Sequence, residues 1–381
     1  MASRLHQARP HLRIALVEAG PDEHNNPEVQ NPLLAPKLHG TPLQYNYKTV
    51  PQTHFNDRRV GTYGGRMLSG GSAVNYGAFT RGHSADYDDW ARLVNDSRWN
   101  YESLLPFFKR SEHYHESTNP SQHGSEGPIH TSTGPRGYPL RESMKKALCI
   151  GTGLEAIADI NAGDPRGVAP LVENWHNVTR QPAGLAYSLD GIDVLVNRDV
   201  RKIVSSKDTD GKLRATGAQL EDGTVITARK EVIVSCGCFR TPQVLMLSGI
   251  GPKHEVDKLP GIEHLLELPV GQYLHDHSGI SLVWKLQHPE KGLSFGSPEF
   301  KNPSFLKGNP IDWLATMAAP SSDLQQAAQK DGEEFRDGER SDIEIIVVYA
   351  PTSSAPNRSL PATVLISPPW FCAYRLLHVA R

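Results

Sequence analysis

The hydrophobic pattern changes period several times along the chain, and each change marks a predicted element. Residues 1–8 have helix-like spacing, and LRIALVEAG (12–20) is an apolar strand that ends in an acid and a glycine turn. Residues 21–64 are punctuated by Pro, Asn and Gly, which predicts extended loop with little regular structure. GGRMLSGGSAVNYGAFTRG (64–82) reads as a glycine-rich turn entering an apolar stretch. From Asp86 to Arg110 the spacing is helical, with Trp90, Leu93, Val94, Leu104, Leu105 and Phe108 expected on the buried face. A polar loop is expected over 111–140.

From 192 to 236 the period becomes that of strands: IDVLV, VRKIV, RATGAQL and VITA are short β-like segments, with EDG (221–223) as a hairpin turn. EVIVSCG (231–237) reads as a buried strand. TPQVLMLSGIG (241–251) reads as a helix, with Pro242 in its first turn and Gly249 as its stop. A strand or two and polar loops follow over 281–345, with a solvated helix expected from Asp323 to Glu339. No internal repeat interrupts this order.

Composition narrows the class. With 381 residues and 38% of them hydrophobic, the chain holds enough apolar matter for one large core or two ordinary ones. The 33 glycines and 29 prolines favour turns and long loops over a helical bundle. A formal charge of -2 advertises neither nucleic acid nor an acidic membrane surface. No apolar run approaches the ~18–20 residues that span a bilayer. The first thirteen residues lack the apolar core of a signal peptide, so the sequons at Asn95, Asn177 and Asn357 are read as chance, and localisation stays unknown. Four scattered cysteines make no disulfide framework.

Four features carry candidate chemistry. Glu18 closes an apolar strand; such an acid accepts hydrogen bonds from the ribose hydroxyls of a bound nucleotide, or is an ordinary surface acid. The glycines of 64–82, interleaved with Ser69, Ser72 and Asn75, describe a backbone that passes close to something flat or anionic, or a structural turn. SCGCFRTPQVLMLSGIGP (235–252) is a strand, tight turn and helix; Cys236 and Cys238 lack a second pair at metal spacing and are read as small buried residues. His275, Asp276 and His277 sit in a turn without a further partner and are read as structural, so no metal is expected.

In this order the features resemble the glucose–methanol–choline (GMC) oxidoreductases. Residues 65–82 resemble the first signature of that family and 237–251 the second, while 268–277 is similar to its short turn ending in an acid and a histidine. QYNYKTVPQ (44–52), DYDDW (86–90), GPIH (127–130) and FLKGNPIDWLAT (305–316) add to the likeness, which runs from Met1 to about Val364. The resemblance implies an α/β (α+β mixed) fold. A Rossmann-like FAD-binding region would occupy 1–280, with substrate-domain segments interleaved around 91–190, and the start of an antiparallel substrate-binding region would occupy 281–381.

It also implies FAD as cofactor, a small-molecule alcohol as donor, and oxygen or another electron acceptor, with no nucleic acid and no membrane span. Residue by residue, it implies that Glu18 holds the adenosine ribose, that Asn75, Tyr76, Gly77 and Ala78 run beside the isoalloxazine ring, and that the Val200 backbone meets the adenine. Ser69, Gly71 and Cys238 depart from the family's usual residues but keep small side chains.

Two departures are larger. The strand and G-x-G-x-x-G turn that would cradle the pyrophosphate are not in the sequence, and neither is the family's catalytic histidine segment. A copy truncated at both ends is therefore expected, with weak or absent binding of FAD and a tendency to aggregate. The resemblance implies no catalytic residue on this chain; His277 comes nearest, in a supporting role. A non-catalytic relative and a lyase on the same fold are the rival readings.

Overall fold

The computed structural model describes residues 1–381 except 117–118, 275, 278, 284–286, 294, 296–299, 333–339, 350–362 and 368–381. After a helix at Ala2–Ala8, the strand Ala15–Val17 pairs in parallel with Asp193–Leu195, joining two segments far apart in sequence. Val200–Lys207, Leu213–Leu220 and Val225–Thr227 form the antiparallel meander expected from their spacing. Its second turn is closed by Gly223 at φ 86°, a left-handed conformation that glycine adopts without the clash of a Cβ.

The largest sheet has five strands in the order Ile280–Val283, Thr363–Ser367, Ile343–Val348, Ile311–Met317 and Gly167–Pro170, each antiparallel to its neighbour. Alternate side chains on Gly167–Pro170 and Ile311–Met317 enter different apolar clusters, as a period of two requires. Val168, Trp313 and Ala315 pack with Tyr138, Phe305 and Tyr349, whereas Ala169 and Leu314 pack with Leu171, Val172 and Tyr114. Burial on both faces explains why Ile311–Met317 reads as a nearly continuous apolar run. A third cluster, Val29, Leu38, Met67 and Ala73, lies under the glycine-rich segment.

Several expectations change. Within 21–64 the structure forms an antiparallel hairpin, Gln44–Lys48 with Gly61–Gly65; its alternation was hidden by the flanking Pro and Asn residues. The 86–110 segment is two helices, Ser84–Leu93 and Tyr101–Ser111, because Asn95 turns left-handed at φ 52° and Asn100 caps the second helix by accepting the Ser103 amide. The break splits the expected buried face: Leu104, Leu105 and Phe108 are half-buried, whereas Trp90, Leu93 and Val94 are exposed, and Trp90 packs on Trp99 with ring centroids 4.8 Å apart.

Residues 111–140 are not simply loop, since Glu112–Tyr114 and Ile129–Thr131 pair in parallel. EVIVSCG is not a buried strand: among the described residues it has no ladder partner, and Ile233, Cys236 and Cys238 are exposed. The following helix begins at Gly237, so Pro242 lies inside it, while Gly249 at φ 79° ends the turn as expected. The solvated helix is Ser321–Asp331; the rest of its expected span, 333–339, lies outside the described residues.

Candidate functional site

Glu18 follows the first strand, and its amide donates to the Leu195 carbonyl at 2.9 Å, so the parallel pairing carries one residue past the strand. Its carboxylate accepts the Gly20 amide at 2.8 Å. Burial pushes the Glu18 carboxyl above the ordinary range; the Gly20 amide and the Arg66 charge oppose that shift. Gly20 is required by contact, because a Cβ there would meet the Arg66 carbonyl oxygen at 1.9 Å. The end of the strand thus touches the glycine-rich segment directly, and Leu68 donates to Pro21 at 2.9 Å.

Val200 begins its strand close by: the Arg198 amide donates to the Glu18 carbonyl at 2.9 Å, and Val200 pairs with Leu220. Around these two the structure gathers residues that the sequence reading did not single out. Asp199 pairs with Arg240, and the Arg240 guanidinium lies over the Tyr45 ring at 5.2 Å. The Tyr47 ring meets Phe239 in a tilted contact with centroids 4.8 Å apart, and burial pushes the Tyr47 hydroxyl up to about 12. The alternation of Tyr45 and Tyr47 was the available signal, since both lie on one face of the 44–48 strand.

Asn75, Tyr76, Gly77 and Ala78 lie at the far end of the glycine-rich segment. Gly77 is buried at φ 80°, while Asn75, Tyr76 and Ala78 are exposed. The segment after Leu171 holds this loop from behind. The Trp175 indole donates to the Tyr76 carbonyl at 2.9 Å, the Asn174 amide donates to the Gly77 carbonyl at 2.8 Å, and Phe79 donates to Val172 at 2.8 Å. Asn309 adds a second donor to the Tyr76 carbonyl at 2.8 Å, and its own amide donates to the Glu173 carboxylate at 2.7 Å. Glu173 is closed off by a buried ion pair with Arg136. A loop with one side fixed by two side-chain donors presents its other side as a rigid ledge.

Ser69 and Ser72 brace the same segment. The Gly184 amide donates to the Ser69 hydroxyl at 2.8 Å, and the Ala183 amide to the Ser72 hydroxyl at 2.9 Å. Ser69, a departure from the family pattern, therefore makes a specific contact. Arg180 is buried beside it, donating through Nη1 to the Val29 and Ala73 carbonyls at 2.6 and 2.5 Å. Its Nε and Nη2 have no hydrogen-bond partner among the described residues, and burial lowers its pKa to about 10. No sequence pattern marked Trp175, Arg180 or Asn309 as site residues.

The remaining candidates belong to the turn at 275–277. Asp276 and His277 are exposed, with Asp276 accepting the His277 amide at 2.8 Å; His275 lies outside the described residues. No helix among the described residues is long and apolar enough to cross a membrane.

Residues 30–279 match the family model described as GMC oxidoreductase. The chain is 42% identical over 355 residues to the GMC-type oxidoreductase acuG of Aspergillus aculeatus, covering 92% of this chain and 64% of that protein. It is 29% identical to the dehydrogenase mpl7 of Monascus purpureus, covering 81% of this chain and 52% of that one. With the oxygen-dependent choline dehydrogenase of Rhizobium rhizogenes it shares 33% identity, over 73% of this chain and 50% of the other. The chain therefore spans between half and just under two thirds of the length of these relatives.

Among solved structures, a formate oxidase superposes with a TM-score of 0.81 at 21% identity, covering 96% of this chain and 69% of that one. A fungal aryl-alcohol oxidase gives 0.74 at 22%, covering 96% and 72%. These two likenesses establish the fold. Because the sequence match extends over the glycine-rich ledge, the 200–227 meander and the 237–247 helix together, this chain belongs to the GMC oxidoreductase family.

Proposed function

We propose that this chain supplies the flavin-binding part of an FAD-dependent oxidoreductase acting on the CH–OH group of a small alcohol, with oxygen or another acceptor taking up the electrons. The observation that carries the reading is the Asn75–Ala78 ledge, pinned from behind by Trp175 and Asn309 and open in front. The residues present fit FAD. Glu18 offers a carboxylate of the kind that binds ribose hydroxyls, Val200 lies beside it, and small residues let a flat ring approach the ledge backbone. The unpartnered nitrogens of Arg180 add a positive charge behind the ledge.

Bound FAD would supply the hydride acceptor. The chain's own part is to orient it: Trp175 and Asn309 fix the Tyr76 carbonyl, and fixed backbone dipoles along the ledge stabilise charge on a ring lying against them. The division into an FAD-binding region over 1–280 and a substrate-binding region from 281 belongs to the same proposal. One structural feature supports it: Gly167–Pro170, from within the interleaved segment, is an edge strand of the five-stranded sheet. No catalytic base is assigned to the described residues.

The test is hydrogen–deuterium exchange of the full chain at saturating FAD, a condition that reveals even a weak complex. Protection at 18–20, 64–82 and 198–202 that disappears in Gly77→Val supports the site. No protection there, or protection elsewhere, overturns it. Turnover of an aryl or aliphatic alcohol with a dye acceptor tests the reaction separately, and product analysis with a cyanohydrin distinguishes a lyase.

A further inference from the structure

Three histidines meet on the surface of the fold, outside the residues assigned to the FAD site. His113 and His115 alternate on Glu112–Tyr114 and the residue after it, so their side chains leave the strand on the same face. His130 lies on the neighbouring strand in register with His113. One ring nitrogen from each of the three lies within 4.8 Å of the others. His115 Nε2 and His130 Nδ1 approach to 2.9 Å, a line along which neutral imidazoles share a single proton. His176 covers the cluster from one side, with its ring centroid 4.0 Å from that of His130.

We propose that His113, His115 and His130 form a binding site for a divalent cation of the zinc, copper or nickel type, which nothing in the FAD reading requires. Imidazole nitrogens suit such borderline cations, and three of them leave a fourth position open to water or a small ligand. A cation bound at about 2.0–2.1 Å from each nitrogen spaces tetrahedral ligand atoms roughly 3.3 Å apart, so the 2.9 Å His115–His130 contact would open slightly while the set as a whole stays within its present 4.8 Å span. His115 is exposed, so the cation reaches the site from solvent without opening the core.

The placement also gives the site a structural consequence. The two strands that carry the ligands share only three paired residues, and a cation would tie them together. His130 is held in place by Gln181, which accepts its amide at 3.0 Å and donates to its carbonyl at 2.6 Å. His176 directly follows Trp175, the residue that fixes the Tyr76 carbonyl, so the cluster and the ledge share one short strand.

The test uses the full chain without a histidine tag, stripped with chelator and then dialysed against zinc chloride. One equivalent of zinc is expected to remain bound. His115→Ala and His130→Ala should each weaken binding by more than about tenfold, since even partners one shell removed from a metal cost 10–100-fold. His254→Ala, at an exposed histidine on the Lys253–Val256 helix, should leave it unchanged. Circular dichroism checks that the variants fold. Mapping of diethylpyrocarbonate modification on the unaltered chain provides a readout independent of mutation: zinc should protect His113, His115 and His130. Failure to retain stoichiometric zinc, retention that survives both alanine variants, or protection confined to other histidines would overturn the proposal.

Discussion

Gly77 shows most directly how a single residue shapes the candidate site. A Cβ at this position would lie 2.5 Å from the Trp175 indole nitrogen, and the backbone sits at φ 80°. Both the contact and the conformation exclude larger residues. Gly77→Val is expected to cost about 1–3 kcal/mol from backbone strain alone, before the clash is counted. Chemical denaturation would show it as a lower midpoint, and an unchanged midpoint would mean that the loop relaxes freely.

Asp86 is a second residue with a measurable signature. It caps the Ser84–Leu93 helix by accepting the His83 amide at 3.0 Å, and burial raises its carboxyl pKa from 3.8 to about 6. The folded form therefore holds the proton more tightly than the unfolded chain. Stability from this group is complete below 3.8 and is lost as pH rises towards about 6. Asp86→Asn removes the titration, so the Tm of the variant relative to the unaltered chain is expected to rise across that window. A difference independent of pH would contradict the assignment.

At the scale of elements, buried ion pairs join segments that hydrophobic contact alone would leave loosely connected. Arg81, which follows the ledge, pairs with the fully buried Glu112. Glu112 in turn contacts His123 at 3.0 Å, and His123 contacts Asp159 at 2.7 Å. Burial lowers the His123 pKa, but the ring's hydrogen bonds to the Asp159 and Glu112 carboxylates outweigh it and hold the ring above its usual value. Glu112→Ala leaves Arg81 as an uncompensated buried charge, and such losses cost roughly 3–5 kcal/mol. Loss of soluble folded chain, or a large fall in Tm, is the expected result; a change below about 1 kcal/mol would indicate that water reaches Arg81. The sequence placed Glu112 and His123 in a polar loop because polarity along the chain does not tell a solvated charge from a paired, buried one.

For the molecule as a whole, the balance of covered and uncovered surface governs behaviour in solution. The Ala15–Val17 and Asp193–Leu195 strands form a sheet of only two, the 231–235 segment is extended without a ladder partner among the described residues, and Ile233, Leu265, Leu266 and Leu268 are exposed. Open edges beside apolar surface recruit further chains. The 381-residue chain is therefore expected to self-associate in a concentration-dependent way, read by light scattering after gel filtration. A monodisperse monomer across a tenfold range of concentration would count against it.

The sequence by itself determined the local pieces whose signals are local. It marked the acid-terminated first strand, the 200–227 meander with its glycine turn, the helix stop at Gly249 and the glycine-rich segment, because period, turn chemistry and glycine content act within a few residues. The order of the two signatures also carried the family. Tertiary structure decided the rest. Only folding brings Trp175 and Asn309 onto the Tyr76 carbonyl, sets Arg240 over Tyr45 beside Glu18, and stands His130 next to His113 and His115. These contacts join residues tens to hundreds of positions apart. Their physical cause is the pairing of backbone and the matching of buried charge across the fold, and no window along the chain contains both partners.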